Sequence, residues 1–175
     1  MLAENINFSE KEVDEVYKKF SLIIYNVLSF YKLYEFKLKP ITYNLKPKTY
    51  SNILDKWILS RLHSAIAEVT ENFDKYEIVR AVRPMLDFVQ DLSLWYVRRS
   101  MERAKEDTLD GQNALLTLRY VLFELSRFIA PVTPFLAEII YREVGLPAQA
   151  GAQKESVHLE NWPKSDKKLV DEKLE

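Results

Sequence analysis

The chain has 175 residues, of which 47% are hydrophobic, 13% aromatic and 29% charged, which suits one domain or one domain with a tail. With 25 Lys and Arg against 26 Asp and Glu, the formal net charge of −1 argues against a uniformly basic nucleic-acid coat protein. Zero cysteines exclude disulfides, thiolate nucleophiles and cysteine-held metals.

The two histidines, His63 and His158, are too far apart in sequence to suggest a metal cluster. Gly111, Gly145 and Gly151 are too scattered for a phosphate-cradling loop. No apolar run reaches the length of a membrane span and the N-terminus has no signal-peptide core, so a soluble, cytoplasmic domain is expected. A chain of this size buries roughly 70% of the surface it exposes when unfolded, enough for a sizeable core.

Phe8-Ser9-Glu10-Lys11-Glu12-Val13 reads as a capping box with Phe8 stapling Val13. Val13, Val16, Tyr17, Phe20, Ile23, Ile24, Val27, Phe30, Tyr31 and Tyr34 then recur at three- and four-residue steps, predicting one helix to about Tyr34. Residues 36–50 contain Pro40 and Pro47 without helical period and read as an extended connection. Ser51 or Asn52 caps a second helix that faces inward through Ile53, Trp57, Ile58, Leu62, Ala65, Ile66 and Val69. Phe73 to Ile78 repeats the capping pattern, with Asp74 as cap, and predicts a third helix to about Lys105. Pro84 lies inside it, where proline costs roughly 3 kcal/mol, so a kink or short break is expected. A fourth helix is predicted from about Asp110 to Ile129. A fifth starts at Thr133-Pro134 and ends at Gly145 as a left-handed cap.

No segment alternates with period two, so the fold class is all-α, a bundle of about five helices. Residues 1–145 form the expected bundle, and residues 146–175, polar and irregular, a tail or linker towards an absent C-terminal region.

Charge is uneven along the chain. Residues 1–105 carry 17 basic against 14 acidic side chains, and residues 106–175 carry 8 against 12. Arg80, Arg83, Arg98, Arg99, Arg103 and Lys105 concentrate the surplus on the third helix. Projected at 100° per residue, Met85, Phe88, Val89, Leu92 and Tyr96 share its buried face, and Arg99 and Arg103 continue that stripe. Trp95 and Arg99, four residues apart, are spaced for a cation–π contact. One reading makes Arg98, Arg99 and Arg103 solvated residues paired with Glu102 or Glu106; the other makes them a surface for phosphates and bases. Asp87 and Asp91 read as solvated ion pairs, His63 as a surface residue and Trp57 as core. No nucleophile, base or oxyanion device is apparent.

Five motifs carry a resemblance. Lys19 to Asn26 (K-F-S-L-I-I-Y-N), Trp57 to Leu62 (W-I-L-S-R-L), Asp91 to Ser100 (D-L-S-L-W-Y-V-R-R-S), Pro131 to Tyr141 (P-V-T-P-F-L-A-E-I-I-Y) and Ser156 to Pro163 (S-V-H-L-E-N-W-P) occur in that order. In order and spacing they resemble the anticodon-binding helical domain of isoleucyl-tRNA synthetases, a class I family. Valyl and leucyl enzymes share the domain, but Arg98-Arg99 and the V-H-L-x-x-W-P run look isoleucyl. The histidine-rich and lysine-rich ATP-binding signatures, the editing insertion and any cysteine zinc site are missing, and Lys164 to Lys168 only superficially resembles the lysine signature. The resemblance therefore implies a fragment that binds tRNA without aminoacylating it. Its cofactors are none; ATP and Mg belong to the parent's catalytic domain. The implied partners are an isoleucine tRNA and the rest of the synthetase, with no membrane and a monomeric state.

By motif position the resemblance implies tRNA contact at Asn26 and Phe30 on the first helix, with burial in the bundle as the alternative for both. On the third helix it implies contact at Arg99 and Arg103; the basic end of the apolar stripe adds Arg98, and the four-residue spacing to Arg99 adds Trp95. Pro84 stands where the family usually carries a plain helix former. A helical protein-interaction module and an enzyme with an unrecognised site remain the alternatives from other classes.

Overall fold

The computed structural model describes residues 9–38, 51–145 and 154–174. Seven α-helices fill it: α1 (Glu10–Lys19), α2 (Ser21–Tyr34), α3 (Ile53–Asp74), α4 (Ile78–Gln90), α5 (Arg98–Lys105), α6 (Leu109–Ile129) and α7 (Pro134–Val144). A π-helical segment, Asp91–Val97, joins α4 to α5 without a break. No strand occurs among the described residues.

The helices follow five rods, in agreement with the all-α expectation. Helix α6 is the centre. Its residues from Ala114 to Ser126 are all buried, because Leu115, Leu116, Leu118, Val121, Leu122, Phe123 and Leu125 distribute apolar surface around its whole circumference. Each fully buried side chain of this kind contributes about 1.5–3 kcal/mol. Arg119, on α6, donates to the carbonyls of Val144 (3.0 Å) and Gly145 (3.0 Å), closing the C-terminal end of α7.

Several local expectations change. The first rod breaks at Phe20 (φ −123°, ψ −71°), where the ring turns into the core, and α1, which precedes the break, leaves Val13, Val16 and Tyr17 exposed. Ser9 does cap α1, accepting from the Glu12 backbone, whereas the Phe8 staple lies outside the described residues. The 36–50 connection opens with a 3-10 turn, Glu35–Lys37, and its Pro40 and Pro47 lie outside the described residues. Asn52 caps α3 through the Leu54 amide.

Asp74 is not a cap. It is the last residue of α3, which ends in a Schellman arrangement: the Tyr76 amide bonds to Phe73 O and the Glu77 amide to Asn72 O, with Tyr76 at φ +57°. Pro84 produces no break, since residues 78–105 stay helical throughout; the irregularity falls on Asp91–Val97 instead. Thr108 caps α6 through the Gly111 amide (3.1 Å). A Cβ on Gly111 would stand 2.5 Å from Glu106 O and 2.6 Å from Arg103 O, so glycine permits the close approach of α6 to the end of α5. Pro134 starts α7, but the Thr133 hydroxyl bonds back to Ile129 O rather than capping, and Gly145 sits at φ −59°, not in the left-handed region.

Beyond residues 146–153, which lie outside the described residues together with the expected 145/146 boundary, residues 154–174 are irregular and lie along the bundle. Val157 is buried, and Trp162 packs on Phe73 and Phe128 while its indole donates to Thr70 Oγ1 (2.8 Å). Lys154 N donates to the Tyr141 hydroxyl, which donates to Glu160. His63, expected at the surface, is 2% exposed. The Asp166 amide donates to its Nδ1 (3.2 Å) and the Ser165 hydroxyl to its carbonyl (2.8 Å), so the chain end itself covers it.

Candidate nucleic-acid interface

The basic end of the third rod takes its shape from the π segment. An α-helix advances 100° per residue, and a helix bonded five residues back is wound more loosely and advances less. The Arg98 amide reaches the Ser93 carbonyl, five residues back. Across the segment the inward positions step by four, through Leu92, Tyr96 and Ser100, all buried. Arg99, which the uniform 100° projection places on the buried stripe, is exposed instead.

Once outside, Arg99 lies over the Trp95 ring, its guanidinium carbon 4.0 Å from the ring centroid. The expected cation–π contact is therefore formed. Trp95 is 50% exposed and its neighbour Leu94 55% exposed. Trp57, on α3, stands beside it with ring centroids 6.4 Å apart and planes tilted by 52°. Trp57 is half-buried rather than enclosed in the core, and periodicity could not show that, because its helical position faces inward while its ring lies at the rim.

The cations nearby in sequence are mostly neutralised. Arg80 pairs with Glu77, Arg61 with Asp91 and Lys105 with Glu102. Arg98 and Arg99 are both exposed and enter no ion pair among the described residues. Guanidinium groups so placed present planar donors suited to phosphate oxygens and to the faces of bases.

Arg103 faces the other way. Its guanidinium bonds the Asp55 carboxylate, which is 1% exposed, and a second nitrogen lies 3.3 Å from Asp110. The Tyr96 hydroxyl donates to the same Asp55 oxygen (2.7 Å). Burial raises the Asp55 carboxyl above its ordinary range although Arg103 and Tyr96 both favour the anion. Burial also works against the Arg103 charge, but Asp55 outweighs it and holds the guanidinium protonated more firmly than usual. Burial and the adjacent carboxylate push the Tyr96 phenol well above its ordinary value. Asp55, Tyr96 and Arg103 therefore tie α3, the π segment and α5 together beneath the surface. Among the sequence-derived contacts Arg103 is structural in placement, and Asp55, its partner 48 residues away, had no local signal.

Helix α2 packs against the π segment. Its Asn26 is exposed, and its side chain carries both a donor and an acceptor. Phe30 is half-buried, stacked obliquely on Tyr34 at 5.2 Å and packed on the apolar clusters. The structure thus places Asn26, Trp95, Arg98 and Arg99 at the surface and turns Phe30 and Arg103 inward. No group of three metal-ligating side chains occurs among the described residues, and none of their helices is long and apolar enough to cross a membrane.

Residues 55–175 match the family described as the anticodon-binding domain of tRNA ligase. The chain is 42% identical over 172 residues to the isoleucine–tRNA ligase of Clostridium acetobutylicum, covering 96% of this chain and 16% of that protein. It is 39% identical over 167 residues to the isoleucine–tRNA ligase of Chlamydia trachomatis serovar D, covering 92% of this chain and 15% of that protein. The chain thus spans about a sixth of the length of these curated relatives. Its fold is similar to part of the LeuRS of Agrobacterium radiobacter K84, solved as a ternary complex with tRNA and LeuAMS. The TM-score is 0.59 at 18% identity, over 95% of this chain and 18% of that one.

Proposed function

The chain belongs to the family of anticodon-binding domains of tRNA ligases, and from that premise we propose that it serves an isoleucine–tRNA ligase by holding the anticodon stem-loop of isoleucine tRNA. The observation that carries the reading is the unpaired Arg98–Arg99 couple beside the exposed Trp95, inside the region that matches the family. The isoleucine assignment is supported by relatives of that name at about 40% identity. The ATP-dependent ligation belongs to the remainder of the parent enzyme, and this domain works as a monomeric, cytoplasmic RNA-positioning unit.

In this reading Arg98 and Arg99 bring positive charge to the phosphate backbone, displacing counterions and adding to the salt dependence of binding. Asn26 offers a donor and an acceptor to a base edge. Phe30 shapes the wall behind it, and Arg103 holds the helix end through Asp55.

Binding of the chain to isoleucine tRNA and to an anticodon-swapped copy, each at low and moderate salt, tests the proposal. Arg98→Ala with Arg99→Ala should weaken both complexes and lower the salt slope by about 1 per arginine. Asn26→Ala should erode the preference for the isoleucine anticodon and leave general affinity nearly unchanged. Absence of salt-dependent binding to any tRNA would favour a protein-interaction module instead.

A further inference from the structure

We infer that Trp57 and Trp95, capped by Arg99, form a stacking subsite for one unpaired nucleobase, with Arg98 as its phosphate anchor. The inference rests on the tRNA-binding reading above and adds to it the chemistry and the residues of one contact.

Four features converge on this spot. Two indoles from different helices meet within 6.4 Å at the rim of the bundle, although apolar rings of this size are normally enclosed. The Arg99 guanidinium carbon lies over the Trp95 ring while the residue is exposed, so a base can join the stack from the solvent side. Arg98 and Arg99 remain without carboxylate partners, while Asp91, Asp55 and Glu102 pair with Arg61, Arg103 and Lys105. The patch is therefore aromatic and cationic together, which fits a nucleotide better than an apolar protein face.

The fourth feature is the π segment. Its looser winding places residues four apart almost directly above one another, so Arg99 comes to rest over Trp95 rather than beside it. The Asp55–Tyr96–Arg103 network pins the segment from below, and Asp55 lies two residues before Trp57 on α3. Both tryptophans are thus attached to one rigid support, which lowers the entropy lost when a base is ordered against the stack.

The chain has three tryptophans, so in a Trp162→Phe background the emission comes from Trp57 and Trp95 alone. The probes are an RNA hairpin with an unpaired loop and a fully paired RNA of equal charge. The hairpin should quench the emission saturably and the duplex should not. Trp95→Ala should weaken hairpin binding about 5- to 100-fold without altering the salt slope, because stacking involves no counterion release. Arg99→Lys, which keeps the charge and loses the plane, should weaken it in the same slope-neutral way. Trp57→Phe, which retains apolar bulk against the core, should lose less affinity than Trp95→Ala and melt like the parent.

Hairpin binding that is indifferent to Trp95→Ala and Arg99→Lys, with no quenching, would overturn the stacking subsite and leave the tRNA-binding reading standing. Failure of the unmutated chain to bind either RNA would overturn both. A concentration-dependent change in emission without RNA, together with a dimer in solution, would overturn the subsite in favour of contact between two copies of the chain.

Discussion

Tyr76 occupies a left-handed backbone position at φ +57° with 89% of its surface exposed, so its side chain contributes little to offset the strain at its own Cβ. Tyr76→Gly should raise stability by about 1 kcal/mol in a denaturant melt, since glycine is the residue that a Schellman ending favours. Asp55 offers a pH-dependent counterpart. Burial raises its carboxyl above the ordinary 3.8, so the folded protein holds this proton more readily than the unfolded chain does. Its ionisation therefore weighs against folding above the raised value, and the penalty is relieved as pH falls through it. From neutral pH down to about pH 4, the parent should gain stability relative to Asp55→Asn, measured by denaturation at a series of pH values. Movement of the difference in the other direction would contradict the dominance of burial over the Arg103 ion pair. The contact between Trp95 and Arg99 was legible in the sequence because a four-residue spacing is a local fact. The ion pair of Arg103 with Asp55 was not legible, because the partner is 48 residues away and spacing carries no information about it.

Among the elements, the α4–π–α5 rod is where sequence periodicity holds and then fails. Met85, Phe88, Val89, Leu92 and Tyr96 are buried as the 100° projection requires. Past Asp91 the winding changes, and a fixed period no longer describes which residues face out. Pro84 was expected to interrupt the rod, yet α4 continues through it, because Ala81, Met85 and Phe88 anchor the helix on both sides of the missing amide. Tertiary packing outweighs a local cost of roughly 3 kcal/mol. Pro84→Ala should then return part of that cost, about 1–3 kcal/mol in a thermal or denaturant melt, by restoring a bond to the Arg80 carbonyl. The boundary between α3 and α4 was misplaced for a related reason. Asp74 and Glu77 match a capping box in type and spacing, but α3 runs on to Asp74 and its C-terminal turn takes the backbone bonds instead.

Across the whole molecule, the C-terminal segment is the main feature that composition misrepresented. Residues 154–174 are polar enough to suggest a tail, yet they meet α3, α6 and α7 through backbone and hydroxyl bonds. The Asp171 amide on Ser60, the Asp166 amide on His63 and Arg127 on the Asn161 carbonyl are among them. Trp162 supplies the apolar anchor. Trp162→Ala should cost about 3 kcal/mol and lower the melting temperature, by opening a cavity between Phe73 and Phe128 and leaving the Thr70 hydroxyl without its donor. A melting temperature unchanged by that substitution would mean the segment is not part of the cooperative unit. Helix class, the apolar faces of α3 and α4, the start of α7 and the family motifs were all determined by the sequence itself, because each rests on neighbours within a few turns. The break at Phe20, the burial of His63, the inward turn of Arg103 and the meeting of Trp57 with Trp95 were decided only by the tertiary structure. Each depends on a partner distant in sequence, and it is burial against that partner that sets whether a side chain faces the core or the solvent.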